Sequence, residues 1–281
     1  MVSVVLALAA SLAWGVSDFL GGLNSRSLAV ASVMLLSQTV GLALLLPLAL
    51  WHGWPPFDAP SYGYAIAGSS AGLIGIAAMY RGMAVGAVSI VAPIAATGAA
   101  LPVLFGLLRG ERATPVQMLG MGLALVGVAL ASRAAHGIRS SSSSRLARGV
   151  WFALIAALGF GAFFVLIHEA SVQDVLWAGS IQRLTGVCVM LLVVLARRPS
   201  LAVGWPRAPA LAVIGVLDTG ANVLYAYAST TGLVSLSAVL ASLFPVVTVI
   251  LARIVLHERL SASQAAGVVC ALAGVALISM Q

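Results

Sequence analysis

Apolar residues run along the chain in ten long stretches, roughly 2–22, 29–50, 62–80, 84–108, 114–132, 149–168, 174–196, 208–229, 233–256 and 262–280. Each is continuous instead of alternating with period 2, which predicts helices over the strands of a barrel. Each is also close to the roughly 20 residues that a helix needs to cross the hydrocarbon core. The pattern predicts an all-α integral membrane protein with ten transmembrane helices. The first stretch has no basic flank, and Asp18 follows soon after its start, so a true span is expected there and not a signal peptide. The connections are short, which leaves the interior of the bundle as the place for any function.

Composition strengthens this picture. Hydrophobic residues make up 62% of the 281 positions, and mean hydropathy is +1.12. Only 7% are charged, against roughly 25% in soluble domains. A water-soluble enzyme or a disordered chain is excluded, because too few polar residues exist to cover a surface. The net charge of +7 is scattered along the chain, so no nucleic acid is expected as a partner. The expected partners are the lipid bilayer and a small-molecule substrate, for a monomer or a homodimer in a cell membrane. Cys188 and Cys270 fall within spans and read as small core residues. HExxH, CxxC and P-loop patterns are absent from the sequence. No catalytic residue, metal or cofactor is therefore expected.

The longest polar stretch, Arg133 to Arg148, contains Ser140 to Ser144 and divides five spans from five. It reads as a linker over 134–148 between units at 1–133 and 149–281. The two units are copies. At an offset of 147, Glu111 and Arg112 match Glu258 and Arg259, Thr114 matches Ser261, and Gln117 matches Gln264. Gly120, Ala124 and the run Gly127 to Leu130 match Gly267, Ala271 and Gly274 to Leu277. About half the positions from Glu111 to Ser132 are identical to their partners. An odd number of spans per copy turns the second over in the membrane. The result is two inverted five-helix repeats, an architecture of secondary transporters, with the site expected near the midplane between repeats.

The polar residues inside the spans mark that site, because a charge at the bilayer centre costs roughly 2.5–3.5 kcal/mol on insertion scales. Asp18 shares a helical face with Trp14 and Ser11. It reads as a carboxyl group for a proton or a cationic substrate group, or as an interfacial acid turned toward Asn24. Asp218, Asn222 and Tyr225 stack at i, i+4 and i+7 on one face of the eighth span, which must look inward. Arg183, in the seventh span, cannot lose its proton and needs a partner. Asp218 or Asp18 could serve, or an anionic substrate group. Gln38 occupies the corresponding place in the second span. The expected substrate- or proton-binding set is thus Asp18, Trp14, Gln38, Arg183, Asp218, Asn222 and Tyr225. Pro93 and Pro245 read as hinges in the fourth and ninth spans, and Pro47 as a helix terminator. Small residues spaced by four in the fifth and tenth spans read as close helix contacts, within the chain or between two copies. The repeated Glu-Arg pairs read as charge-assisted closures of their own turns.

Several of these features resemble one family. Trp14-Gly15, the run Ala77 to Gly82, Pro93, Pro102, Arg109-Gly110-Glu111-Arg112 and the glycine-spaced fifth span are similar to an EamA-type unit of the drug/metabolite transporter superfamily. Arg183, Asn222 to Tyr227, Pro245 and His257-Glu258-Arg259 repeat that likeness in the second half. The chain departs from the resemblance at Gln38-Thr39, where many relatives carry arginine. The resemblance implies ten helices, a central cavity formed by spans 1–4 and 6–9, and peripheral spans 5 and 10. It also implies termini in the cytoplasm. The arginines point the other way: ten lie on the linker side and two on the opposite side, so the positive-inside rule places the linker in the cytoplasm. The expected activity is secondary transport, including efflux, of a small metabolite, amino-acid-like or drug-like compound by alternating access, with proton coupling through the aspartates. A non-transporting structural or sensory subunit, and an intramembrane enzyme, stand as the other readings.

Overall fold

Helices occupy the apolar runs, and six of them extend past at least one end of their run. The computed structural model describes residues 1–25, 28–54, 58–85, 91, 94–132, 143–198, 208–257 and 261–279. The first repeat holds α1 (Val2–Ser25), α2 (Val30–His52), α3 (Ala59–Val85), α4 (Ile94–Leu108) and α5 (Pro115–Ala131). The second holds α6 (Ser143–Ser171), α7 (Val175–Arg197), α8 (Ala208–Thr231), α9 (Val234–Ala241), α10 (Phe244–Val255) and α11 (Ala262–Ser279). Among the described residues, eight helices are long and apolar enough to cross a membrane, counting α9 and α10 as one run. Two more, α4 and α5, are apolar but shorter. Leu44, Leu48, Leu158, Leu192 and Leu195 stand exposed on the outside of the bundle, as a hydrocarbon solvent requires.

Three local readings change. Pro47 does not end its helix: α2 continues to His52. Proline removes one backbone donor, and neighbouring helices in a bundle can tolerate that. The helix α6 starts at Ser143, inside the stretch read as linker, because Arg, Leu and Ala from 145 to 148 favour helix and no Gly or Pro interrupts them. The ninth span is two helices. Pro245 sits in the first turn of α10, where its missing N–H costs least, and Ser242-Leu243 separates it from α9. Pro93, Arg26, most of the linker, Glu258 and Arg259 lie outside the described residues.

The dominant helix pairs all join one repeat to the other: α3 with α6, α5 with α11, α1 with α8, and α2 with α7. The crossings are antiparallel. Ser3 meets Gly232 while Ser17 Oγ–H donates to Ile214 O at 3.2 Å. Gly68 faces Ile167 and Gly75 faces Phe160. Since α5 and α11 are sequence copies, their antiparallel crossing sets the two copies in opposite directions. That crossing is close. A Cβ on Gly120 would lie 2.9 Å from Gly274 O, and one on Gly274 would lie 2.6 Å from Gly120 O. Gly127 and Gly267 are pressed against Ala271 and Ala131 backbone in the same way. All four glycines are thus taken up inside the chain. Each of these helices begins with a reciprocal cap: Thr114 with Gln117, and Ser261 with Gln264.

Candidate functional site: a polar cavity over an aromatic floor

Between the repeats lies a cavity of about 360 Å³, within the roughly 300–1,000 Å³ of small-molecule sites. It runs from mid-bundle to the end where α1 meets α2, reaching Ser25 and Val30. Met34, Leu73, Ile76 and Ile214 give it apolar walls.

Trp14 forms its floor. Ring centroids of Phe163, Phe164, Tyr225 and Phe244 lie 6.2, 5.8, 6.1 and 6.2 Å from that of Trp14, mostly edge to face. Below it Val4, Ala7, Leu236, Val239 and Leu240 pack into a dense apolar cluster. The break after α9 brings Ser242, Phe244 and Pro245 to the same floor. The sequence alone does not mark these phenylalanines, because an aromatic residue in an apolar span looks the same whether it packs or lines a cavity.

The polar residues gather on one side. Arg183 is 1% exposed, and its Nη1–H donates to Asp218 Oδ2 at 2.5 Å and to Gln38 Oε1 at 2.9 Å. Its stem passes over Gly41, where an added Cβ would come within 2.9 Å of Arg183 Cδ. Gly41 is therefore part of the site, although the sequence marks it only as another small residue. Gln182 Nε2–H donates to Asn222 Oδ1 at 3.2 Å, and Asn222 Nδ2–H donates to Asp218 O at 2.6 Å. Ser69 Oγ–H donates to Gln182 O at 2.9 Å, tying α3 to α7.

Asp18 stands apart from this network. It lines the cavity and is exposed to it, and it has no hydrogen bond or ion pair among the described residues. Asn24 donates to Leu20 O instead. Trp14, Gln38, Arg183, Asp218 and Asn222 line the same cavity. Tyr225 does not. It is fully buried, and its hydroxyl donates to Phe164 O at 2.8 Å. Three residues along α8, less than one turn, carry that face from Asn222 to beneath the floor.

The sequence pattern of the EamA-like transporter family matches residues 1–133 and 147–280. No curated protein matches the chain. A solved structure described only as "Crystal structure of protein" superposes with a TM-score of 0.79 at 20% identity, covering 99% of this chain and 96% of that one. The likeness is one of fold.

Proposed function

The chain belongs to the EamA-like transporter family, and we propose that it is a ten-span secondary transporter of the cell membrane, working by alternating access. Its substrate in this reading is a small metabolite, amino-acid-like or drug-like molecule that carries a protonated amine. The observation that carries the substrate class is the charge balance of the cavity. The charge of Arg183 is already balanced by Asp218, which weakens its pull on an anionic ligand. Among the described residues Asp18 faces the cavity without a hydrogen-bond or ion-pair partner, above the rings of Trp14, Phe163, Phe164 and Phe244. A carboxylate beside aromatic faces attracts an organic cation both by charge and by cation–π contact. A cavity open at one end and sealed below Trp14 is one access state of the two that transport requires. The same carboxyl group accepts either the amine or a proton, and that competition couples the two.

Flux into liposomes containing only this protein tests the reading. Amine-bearing compounds should cross and respond to an imposed pH gradient, and Asp18→Asn should abolish the response. If neither amines nor any other small solute moves, transport is excluded. If only carboxylates move, the assignment to Asp18 is wrong.

A further inference from the structure

Glu111 lies in the turn between α4 and α5, at the end of the bundle opposite the cavity mouth. Its carboxylate reaches into the other repeat. It accepts the N–H of Val234, the N–H of Ser235 at 3.1 Å, and the hydroxyl of Ser235 at 2.5 Å. Val234 and Ser235 open α9, whose N-cap residue, Leu233, has no side chain able to cap. Glu111 therefore satisfies first-turn donors that would otherwise lack partners, and sets a negative charge at the positive end of the helix. The contact is specific in shape. Glu111 N–H donates to Gly106 O at 2.9 Å, and a Cβ on Gly106 would come within 2.6 Å of the Glu111 Cδ. Gly110, with φ of +85°, turns the chain so that the carboxylate can reach across.

The position of α9 gives the contact its reach. All eight of its residues are buried, and it packs on α1, α4 and α8. Its far end is the break at Ser242-Leu243, where Ser242, Phe244 and Pro245 meet the cavity. One short rigid helix thus runs from Glu111 to the aromatic floor. To open the bundle at the sealed end, α9 must part from the α4–α5 turn.

We propose that Glu111 is the latch that holds this end closed, and that its release is a step in converting the protein to the opposite-facing state. The proposal rests on the transporter reading given above. Glu111 is a positioning residue in this scheme, since it acts on the access equilibrium and not on the substrate. In the sequence the parts occur twice: Gly86-Ala87-Val88-Ser89 matches Gly232-Leu233-Val234-Ser235 at an offset of 146, and Glu258 matches Glu111.

Thiol labelling of the full chain tests the latch without any substrate. The background is Cys188→Ala with Cys270→Ala, both far from the latch in the sequence. Gly22→Cys reports the open side, where an added Cβ meets nothing within 4 Å. Ser11→Cys reports the sealed side, at 2% exposure below Trp14. With Glu111 intact, Gly22→Cys should label fast and Ser11→Cys slowly. Glu111→Gln places an amide donor against the helix donors, and should raise Ser11→Cys labelling about tenfold while lowering that of Gly22→Cys. Ser235→Ala removes one hydroxyl and should shift the rates in the same direction by less. It carries the test if Glu111→Gln does not yield folded protein. Unchanged rates, or both rates rising together, would overturn the latch. Because labelling needs no ligand, that failure is distinct from a failure of flux in liposomes.

Discussion

Asp218 Oδ2 stands 2.5 Å from Nη1 of Arg183, joining α8 to α7 inside the bundle. The pair is unequal. Arg183 is 1% exposed, while the Asp218 side chain keeps 27% of its surface open to the cavity. Nε and Nη2 of Arg183 are buried without hydrogen-bond partners among the described residues. Asp218→Asn should therefore destabilise the protein by about 2–3 kcal/mol, below the roughly 3–5 kcal/mol for breaking a fully buried pair. Arg183→Gln combined with Asp218→Asn should cost less than the sum of the two single changes. Unfolding of purified protein in mixed detergents measures both, as a double-mutant cycle.

Trp14 carries the floor of the cavity. Trp14→Ala removes a side chain in contact with four aromatic rings and should cost about 3–5 kcal/mol. Trp14→Phe keeps much of the packing and should cost well under half as much. The floor also separates the cavity from the sealed end, so solute leak through Trp14→Ala liposomes should exceed that of Trp14→Phe.

Tyr225 holds Phe164 O through its hydroxyl and does not line the cavity. Tyr225→Phe should lower stability by about 1 kcal/mol, the usual net worth of one buried hydrogen bond. Ligand affinity should stay unchanged, as read by thermal shift against increasing ligand. A large loss of affinity would place the hydroxyl in the binding site.

The α5–α11 crossing permits no side chain at its four glycines. Gly274→Ala should cost about 1–3 kcal/mol, because the new methyl group meets Gly120 O and Ala124 backbone. Gly220→Ala in α8 is the control, since nothing lies within 4 Å of its added Cβ. It should be neutral or gain up to about 1 kcal/mol. Melting temperatures of the two variants side by side check the contrast.

What the sequence discloses divides along physical lines. Apolar run length reports helices, and the run from Glu111 to Ser132 exposes the duplication, because both are local or periodic. The three membrane-embedded charges, Asp18, Arg183 and Asp218, stand out by their cost in lipid. Which of them pair is set by how α7 and α8 are rotated, and no local pattern fixes that. The same rotation places Asn222 in the cavity and Tyr225, less than one turn further, beneath its floor. Gly41 shows its role only once the Arg183 stem lies across it. Glu111 reads as a closure of its own turn, yet it binds Val234 and Ser235, whose distance along the chain exceeds any helical or turn spacing. The break at Ser242-Leu243 is marked by Pro245, which signals an interruption without saying whether a kink or two helices results.

Every dominant helix pair in the bundle spans the two repeats. Neither half keeps its apolar faces covered alone, so each is the other's folding partner. Residues 1–133 and 149–281, produced as separate chains in one cell, should find each other and rebuild the cavity. In that sense the protein is a fused pair, and a change at Gly120 is answered at Gly274 before it is felt by any neighbour along the chain.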